Sequence, residues 1–301
     1  MLCDIHWTGK VDSVAFTIGG KDIAWYGIII TCAMLAGLVA ALIRGKKHNL
    51  TIDDLVEIFI IAIPLAIIGA RLGYVMVRPE YFPSDFGWDD FVNVIAVWDG
   101  GLTIMTGVPF GVLGGAIWCK WRKVNLIDLA DIIIPVVLLS QGLGRWGNFC
   151  NQEIFGAEIT NPDLQFFPIA VYIARLGGFY QALFFYEMVM DLAFFAAMMI
   201  ILRHLKVRGA GSLMYLFSYC LIRFVMEFIR DDGHIYDVFN YTQVICGILV
   251  VASAGLLAYL IVRDVKKGKK VWYGKEGIPL EETVQIHPYH KPSKKDVGAS
   301  K

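Results

Sequence analysis

The chain is short of charge. Asp, Glu, Lys and Arg make up 18% of its 301 residues, and 27 basic residues against 27 acidic ones cancel to a formal net charge of +0. That balance provides no basic field for nucleic acid and no bulk charge for an acidic or basic partner. The six cysteines, Cys3, Cys32, Cys119, Cys150, Cys220 and Cys246, are scattered without a C-x-x-C pair, so neither a zinc site nor a disulfide framework is expected. Cys3 lies too near the start to follow an apolar signal region, so the chain does not read as a lipid-modified substrate. P-loop and H-E-x-x-H patterns are absent as well, and no metal or organic cofactor is expected. Histidine is scarce, and none of the six falls inside an apolar run. The "HPYH" of His287 to His290 stands in a polar tail, where two histidines are solvated far more often than they ligate a metal.

What is abundant is apolar sequence. At 57% hydrophobic residues and a mean hydropathy of +0.58, the composition lies outside the range of soluble domains and reads as an all-α, polytopic integral membrane protein. Crossing a hydrocarbon core takes about 20 helical residues. Seven segments qualify: 24–43, 55–77, 101–119, 126–144, 183–202, 212–228 and 241–262. Three contain a proline (Pro64, Pro109, Pro135), which membrane helices tolerate when neighbours re-satisfy the freed carbonyls. Basic clusters follow the first, third, fifth and seventh segments: Arg44, Lys46 and Lys47; Lys120, Arg122 and Lys123; Arg203, Lys206 and Arg208; and Arg263 with four lysines up to Lys270. All four fall on one side, which the positive-inside rule makes cytoplasmic. The N-terminus is therefore expected outside and the C-terminus inside. Residues 1–265 are expected to form the transmembrane domain, with an external interfacial stretch at about 157–182, and 266–301 a polar, mobile cytoplasmic tail.

An ionisable group at membrane depth is costly unless paired or hydrated, which makes each one a functional candidate. With the orientation above, Tyr26, Arg71, Arg145, Glu187 and Arg223 all fall toward the outer half. Arg223 comes roughly 16 Å along the sixth segment at 1.5 Å per residue. Arg223, Glu227 and Arg230 stand at i, i+4 and i+7, two cations and a carboxylate on one helical face. A buried ion-pair network that only sets helix packing is the bland account of that triplet. Arg71 and Arg145 add further positive charge, and an excess of guanidinium groups at headgroup depth suits a phosphate anion gripped bidentately. Asp128 and Asp131 are expected to cap or pair, and Asp191 to orient a neighbour; the glycines of the third segment serve close helix packing.

The stretch "GRWGNFCNQEIFG", Gly144 to Gly156, resembles the signature of the prolipoprotein diacylglyceryl transferase family, Gly-Arg-x-Gly/Ala-Asn-Phe-apolar-Asn-x-Glu-x-x-Gly, at every fixed position. Further landmarks occur in the family's order: "WYG" from Trp25, "GARLGYV" from Gly69, "WDGGL" from Trp98, "YE" at Tyr186 and Glu187, and "RFVMEFIR" from Arg223 to Arg230. The resemblance covers roughly residues 20–262. It implies a multi-pass enzyme of the bacterial cell membrane that moves the diacylglyceryl group of phosphatidylglycerol, a membrane lipid, onto the lipobox cysteine of a prolipoprotein signal peptide, releasing glycerol phosphate. On that reading Arg145 and Arg223 face the phosphate, with Arg71 adding positive charge and Arg230 at the rim. Asn148 and Asn151 donate to phosphate or glycerol oxygens, Tyr26 contacts the headgroup, Gly156 completes the substrate site and Glu227 orients an arginine. Glu153 takes the thiol proton or orients the thiol, unless the arginines alone lower the thiol's pKa enough.

Two departures stand out. Family members often carry a histidine or tyrosine after "GGL", where this chain has Met105, and many read "HPxxxYE" where it has "QALFFYE" with Gln181 and Ala182. Methionine cannot take a proton at neutral pH, so no histidine base stands at that position. A transporter, the rival from another class, predicts internal repeats and midplane charges, and neither is visible. A lipid-binding homologue without transferase activity would be expected to lose the signature, which is intact.

Overall fold

The computed structural model describes residues 13–82, 87–97, 101–229, 241–274 and 276–286. Eight helices dominate: α1 (Trp25–Gly45), α2 (Ile52–Met76), α3 (Trp88–Ile95), α4 (Ile104–Arg122), α5 (Leu126–Cys150), α6 (Leu183–His204), α7 (Ala210–Met226) and α8 (Tyr241–Lys266). Five of them, α1, α2, α5, α6 and α8, are long and apolar enough to cross a membrane. The other two expected spans are weaker. α7 has 17 residues, and the glycines, tryptophans and basic last turn of the 19-residue α4 dilute its hydropathy. Burial is inverted relative to a soluble protein: Ile60, Ile67 and Met76 on α2, Val108 and Val112 on α4, and Ile248, Val251 and Val262 on α8 are all exposed. Only a lipid solvent stabilises apolar faces of that extent.

The all-α expectation needs amending. Two antiparallel hairpins are present, β1 (Val14–Ile18) with β2 (Lys21–Ala24), and β3 (Ala170–Ile173) with β4 (Gly178–Gln181). Their turns run through glycines at positive φ, Gly19 and Gly20 in the first and Gly177 in the second, where a side chain would be strained. Residues between α5 and α6 leave the helical pattern because "NPDLQFFP" and "LGG" break it, and β-branched and aromatic residues fill the strands.

The chain divides into two units. One comprises 45–129 with the segment from Val284 onward. Within it α2 and α4 pack along glycines: a Cβ at Gly69 would collide with Phe110, at Gly73 with Thr106, and at Gly114 with Ala62. Small residues of this kind let membrane helices approach closely, and here the neighbouring side chains fill the space beside them. At the basic end of the pair, Arg122 donates to both oxygens of Glu57 (2.6 and 2.9 Å), and Trp118 Nε1 donates to the same carboxylate.

The other unit comprises residues up to Arg44 and Ala130–Thr283. Its core joins α5, α6 and α7 through Leu138, Met198, Leu202, Ile222 and Met226. Asp131 caps α7 from α5, accepting from the backbone N–H groups of Gly209 and Ser212 and from the Ser212 hydroxyl. The capping expectation for this residue is met. The tail is less loose than expected between 269 and 286. Val271 and Tyr273 hydrogen-bond the backbone of Lys206 and His204, Lys206 pairs with Glu282 at 2.9 Å, and the Tyr273 hydroxyl donates to Glu282. In the first unit, Ile286 N–H donates to the His48 carbonyl. Tyr273 and Ile286 are buried, Val271 packs on the core and Trp272 stacks on His204, contacts that a lysine count hides.

Candidate active site

Helix α5 continues six residues beyond its expected end, so "GRWGNFC" forms its last turns and Arg145 stands one turn inside the terminus. Nothing in "LGRWGNFC" breaks a helix except glycine, and both glycines are used for contact. Gly147 lies under Tyr26: a Cβ there would sit 2.9 Å from Tyr26 Cδ2 and 3.3 Å from Cε2. The first turn of α1 thus rests on the signature helix. Gly144 likewise faces Ile30, one turn further along α1.

Arg145 Nη2 donates to Glu187 Oε1 at 2.6 Å, with side chains 20% and 3% exposed. Its Nε–H is buried and has no hydrogen-bond partner. Asp191, one turn beyond Glu187 on α6, is equally buried, lies within electrostatic reach of Arg145 and Glu187, and has an unpartnered Oδ2. On α7, Arg223 Nη2 pairs with Glu227 Oε2 at 3.2 Å across one turn. Tyr219, a turn before Arg223, lies within electrostatic range of Arg145, Glu187 and Arg223, so α5, α6 and α7 bring both arginines to one cluster. Below it Tyr215 stacks on Tyr219 and donates to Gln141 at 3.2 Å.

Beyond Cys150 the chain turns sharply. Gln152 (φ 51) and Ile154 (φ 58) adopt left-handed conformations on either side of Glu153, a strain that ordered surroundings must sustain. Asn148 Nδ2 (2.9 Å) and Asn151 Nδ2 (3.3 Å) both donate to Glu153 Oε1. The Gln152 side chain ties the turn to the hairpin, donating to the Tyr172 carbonyl and accepting from the Ala174 N–H. An aromatic cluster of Trp146, Phe149, Phe167, Phe184 and Phe185 packs beneath β3. Gly156 pairs with Gln181 through its N–H, and a Cβ there would collide with Leu183 and approach the Ile229 carbonyl to 2.9 Å.

Several expectations therefore change in detail. The asparagines engage Glu153 rather than standing free, and Gly156 packs against neighbours where no side chain fits. Arg71, in the other unit, is 6% exposed and donates to the carbonyls of Asn93, Val94 and Gly101. Its guanidinium lies 5.5 and 5.3 Å from the ring centroids of Tyr74 and Tyr81, a scaffold for the approach to α4. Met105 is 82% exposed on the first turn of α4. Arg230 and the "WDG" of Trp98 to Gly100 lie outside the described residues. Sequence reasoning passed over Gln141, Tyr215 and Tyr219. The signal was present in the spacing: Gln141 and Arg145, and Tyr215, Tyr219, Arg223 and Glu227, recur every four residues.

The family model described as prolipoprotein diacylglyceryl transferase matches residues 13–259. Phosphatidylglycerol–prolipoprotein diacylglyceryl transferase 1 of Clostridium perfringens is 35% identical over 266 residues, 86% of this chain and 97% of its own length. The phosphatidylglycerol–prolipoprotein diacylglyceryl transferase of Listeria innocua is 33% identical over 258 residues, 84% and 91% of the two chains. That of Ligilactobacillus salivarius is 31% identical over 266 residues, 86% and 97%. The match runs through every element that builds the Arg145 cluster, and this chain belongs to the prolipoprotein diacylglyceryl transferase family.

Proposed function

We propose that the chain transfers the diacylglyceryl group of phosphatidylglycerol to the cysteine thiol of a prolipoprotein lipobox, the first step of lipoprotein maturation. The observation that carries the catalytic reading is Arg145. Glu187 holds one face of its guanidinium, and the buried Nε–H is left without a partner. An unmatched buried donor is costly and is best explained by an acceptor that arrives with the substrate. A phosphodiester supplies such an acceptor, with the geometry that guanidinium prefers.

The reaction forms a C–S bond and breaks the C–O bond between the diacylglycerol carbon and the phosphate. The electron pair leaves with the phosphate oxygen. Arg145 and Arg223 stabilise the second negative charge that develops there, in surroundings from which most water is excluded. The thiol proton passes to Glu153, whose Oε1 is fixed by Asn148 and Asn151 and whose other oxygen is left for the incoming group. Tyr26, seated on Gly147, borders the headgroup, and Glu227 holds Arg223 in place. Gly156 closes the turn behind Glu153, and Arg230, outside the described residues, is assigned a supporting role toward the phosphate. Arg71 serves by shaping the start of α4. α4 and α7 bring the membrane spans to seven in the bacterial cell membrane, with the N-terminus outside, the tail in the cytoplasm, and the catalytic cluster at the outer face where a translocated lipobox arrives.

The test is transfer of labelled diacylglycerol from phosphatidylglycerol to a lipobox peptide by the purified protein, beside Arg145→Ala and a peptide with serine for cysteine. Transfer that needs both Arg145 and the thiol is expected. Transfer that survives Arg145→Ala would overturn the assignment of the phosphate site, and lipid binding without transfer would leave a lipid-binding homologue.

A further inference from the structure

Two buried groups in the Arg145 cluster are complementary and yet unmatched: the Arg145 Nε–H lacks an acceptor and Asp191 Oδ2 lacks a donor. Asp191 is 2% exposed, and its carboxylate would repel a phosphate where the Arg145 guanidinium attracts one. It packs against α5 one turn below Arg145, because a Cβ at Gly142 would sit 3.0 Å from the Asp191 Cβ. Glu187 and Asp191, at i and i+4, present two carboxylates along one face of α6. The distance between successive turns is about 5.4 Å, which an arginine side chain spans by rotating about its own stem. Asp191 has no role in the mechanism above.

We propose that Asp191 is a second seat for Arg145, a positioning residue that receives the guanidinium when the product leaves. This rests on the reading of Arg145 as the phosphate grip. Breaking the C–O bond converts a phosphodiester into a monoester carrying a second negative charge. The arginine that stabilises this charge in the transition state therefore also holds the product, and tight product binding limits turnover. Rotation to Asp191 exchanges one anionic partner for another, and matches the unmatched donor to the unmatched acceptor.

The experiment uses the full-length protein in lipid nanodiscs, with glycerol phosphate as the probe. Asp191→Asn is expected to tighten glycerol phosphate inhibition about tenfold and to lower kcat by a similar factor. It should leave kcat/KM for phosphatidylglycerol within about twofold, KM falling in parallel with kcat, and produce a pre-steady-state burst. Asp191→Glu restores turnover. The double variant with Arg145→Gln separates the seat from a charge acting through space: direct binding of glycerol phosphate shows no Asp191→Asn effect when Arg145 is gone, whereas a through-space effect persists. Gly142→Ala, whose Cβ would sit 3.0 Å from the Asp191 Cβ and shift the carboxylate slightly while keeping it, moves inhibition in the same direction by a smaller factor and serves if Asp191→Asn does not fold. Unchanged inhibition in the folded variants, or a tightening that survives Arg145→Gln, overturns the proposal. Should Arg145→Gln alone leave glycerol phosphate binding intact, the reading of Arg145 itself fails; if it weakens binding and Asp191→Asn changes nothing, only the second seat falls.

Discussion

Replacing Gly147 by alanine separates stability from alignment. The added Cβ would sit 2.9 Å from Tyr26 Cδ2, against an ordinary contact of 3.4–4 Å. The Tyr26 ring must therefore retreat by roughly 0.5–1 Å, or α1 must move with it. Gly147 lies inside α5 at a helical φ, so alanine contributes about 1 kcal/mol of helix propensity, while overpacking costs about 1–3 kcal/mol. The two nearly offset, and the net loss of stability is expected to be roughly 0–2 kcal/mol. Activity responds differently, since a 1 Å misplacement of a substrate-aligning group costs on the order of 100-fold. The assay pairs thermal unfolding in detergent with diacylglyceryl transfer at saturating and limiting phosphatidylglycerol. The expected result is a folded protein whose kcat/KM has fallen by about two decades. Wild-type transfer in a folded Gly147→Ala protein would refute the argument that Tyr26, seated on α5, borders the substrate.

Three further outcomes follow from the contacts. Arg71→Ala orphans the carbonyls of Asn93, Val94 and Gly101 at about 1–3 kcal/mol for each that stays buried, so unfolding measurements should register the loss before the KM does. Asn148→Ala and Asn151→Ala each remove a donor from the same Glu153 oxygen, so their effects on kcat should be non-additive in a double-mutant cycle, with Glu153→Gln masking both. The docked tail should loosen at both pH extremes. Hydrogen bonds from Tyr273 and Lys206 depress the Glu282 carboxyl, so its contribution is full above the unfolded carboxylate range and is lost as pH falls below roughly 4. Tyr273, pushed up to about 12 chiefly by its bond to Glu282, contributes fully below the ordinary tyrosine value near 10 and loses that contribution as pH rises through 12. Limited proteolysis between 269 and 286 reads both limbs, and Glu282→Gln should flatten the acid one.

Much of the site was legible because membranes make polar residues conspicuous. Arg145, Arg223, Glu187 and Glu227 stood out as charges in apolar sequence, and basic clusters ordered the helices so that these charges converged. The β-hairpins were not legible, since strands of four or five residues carry too little periodicity to distinguish from an interfacial stretch. Arg71 shows a related limit: in sequence, a guanidinium in a membrane segment looks the same whether it awaits phosphate or holds three backbone carbonyls.

The sequence by itself determined the solvent, the order of the helices, the family signature and the residue types available for chemistry, because hydropathy, charge sign and motif spacing are properties of the linear chain. Tertiary structure alone decided the partners. Glu187 holds Arg145 although 42 positions separate them, two asparagines share one oxygen of Glu153, Tyr26 lies on Gly147, and Asp191 remains unmatched beside the arginine. Hydrogen bonds depend on ångström distances between side chains from different helices, and those distances are fixed only when the helices pack.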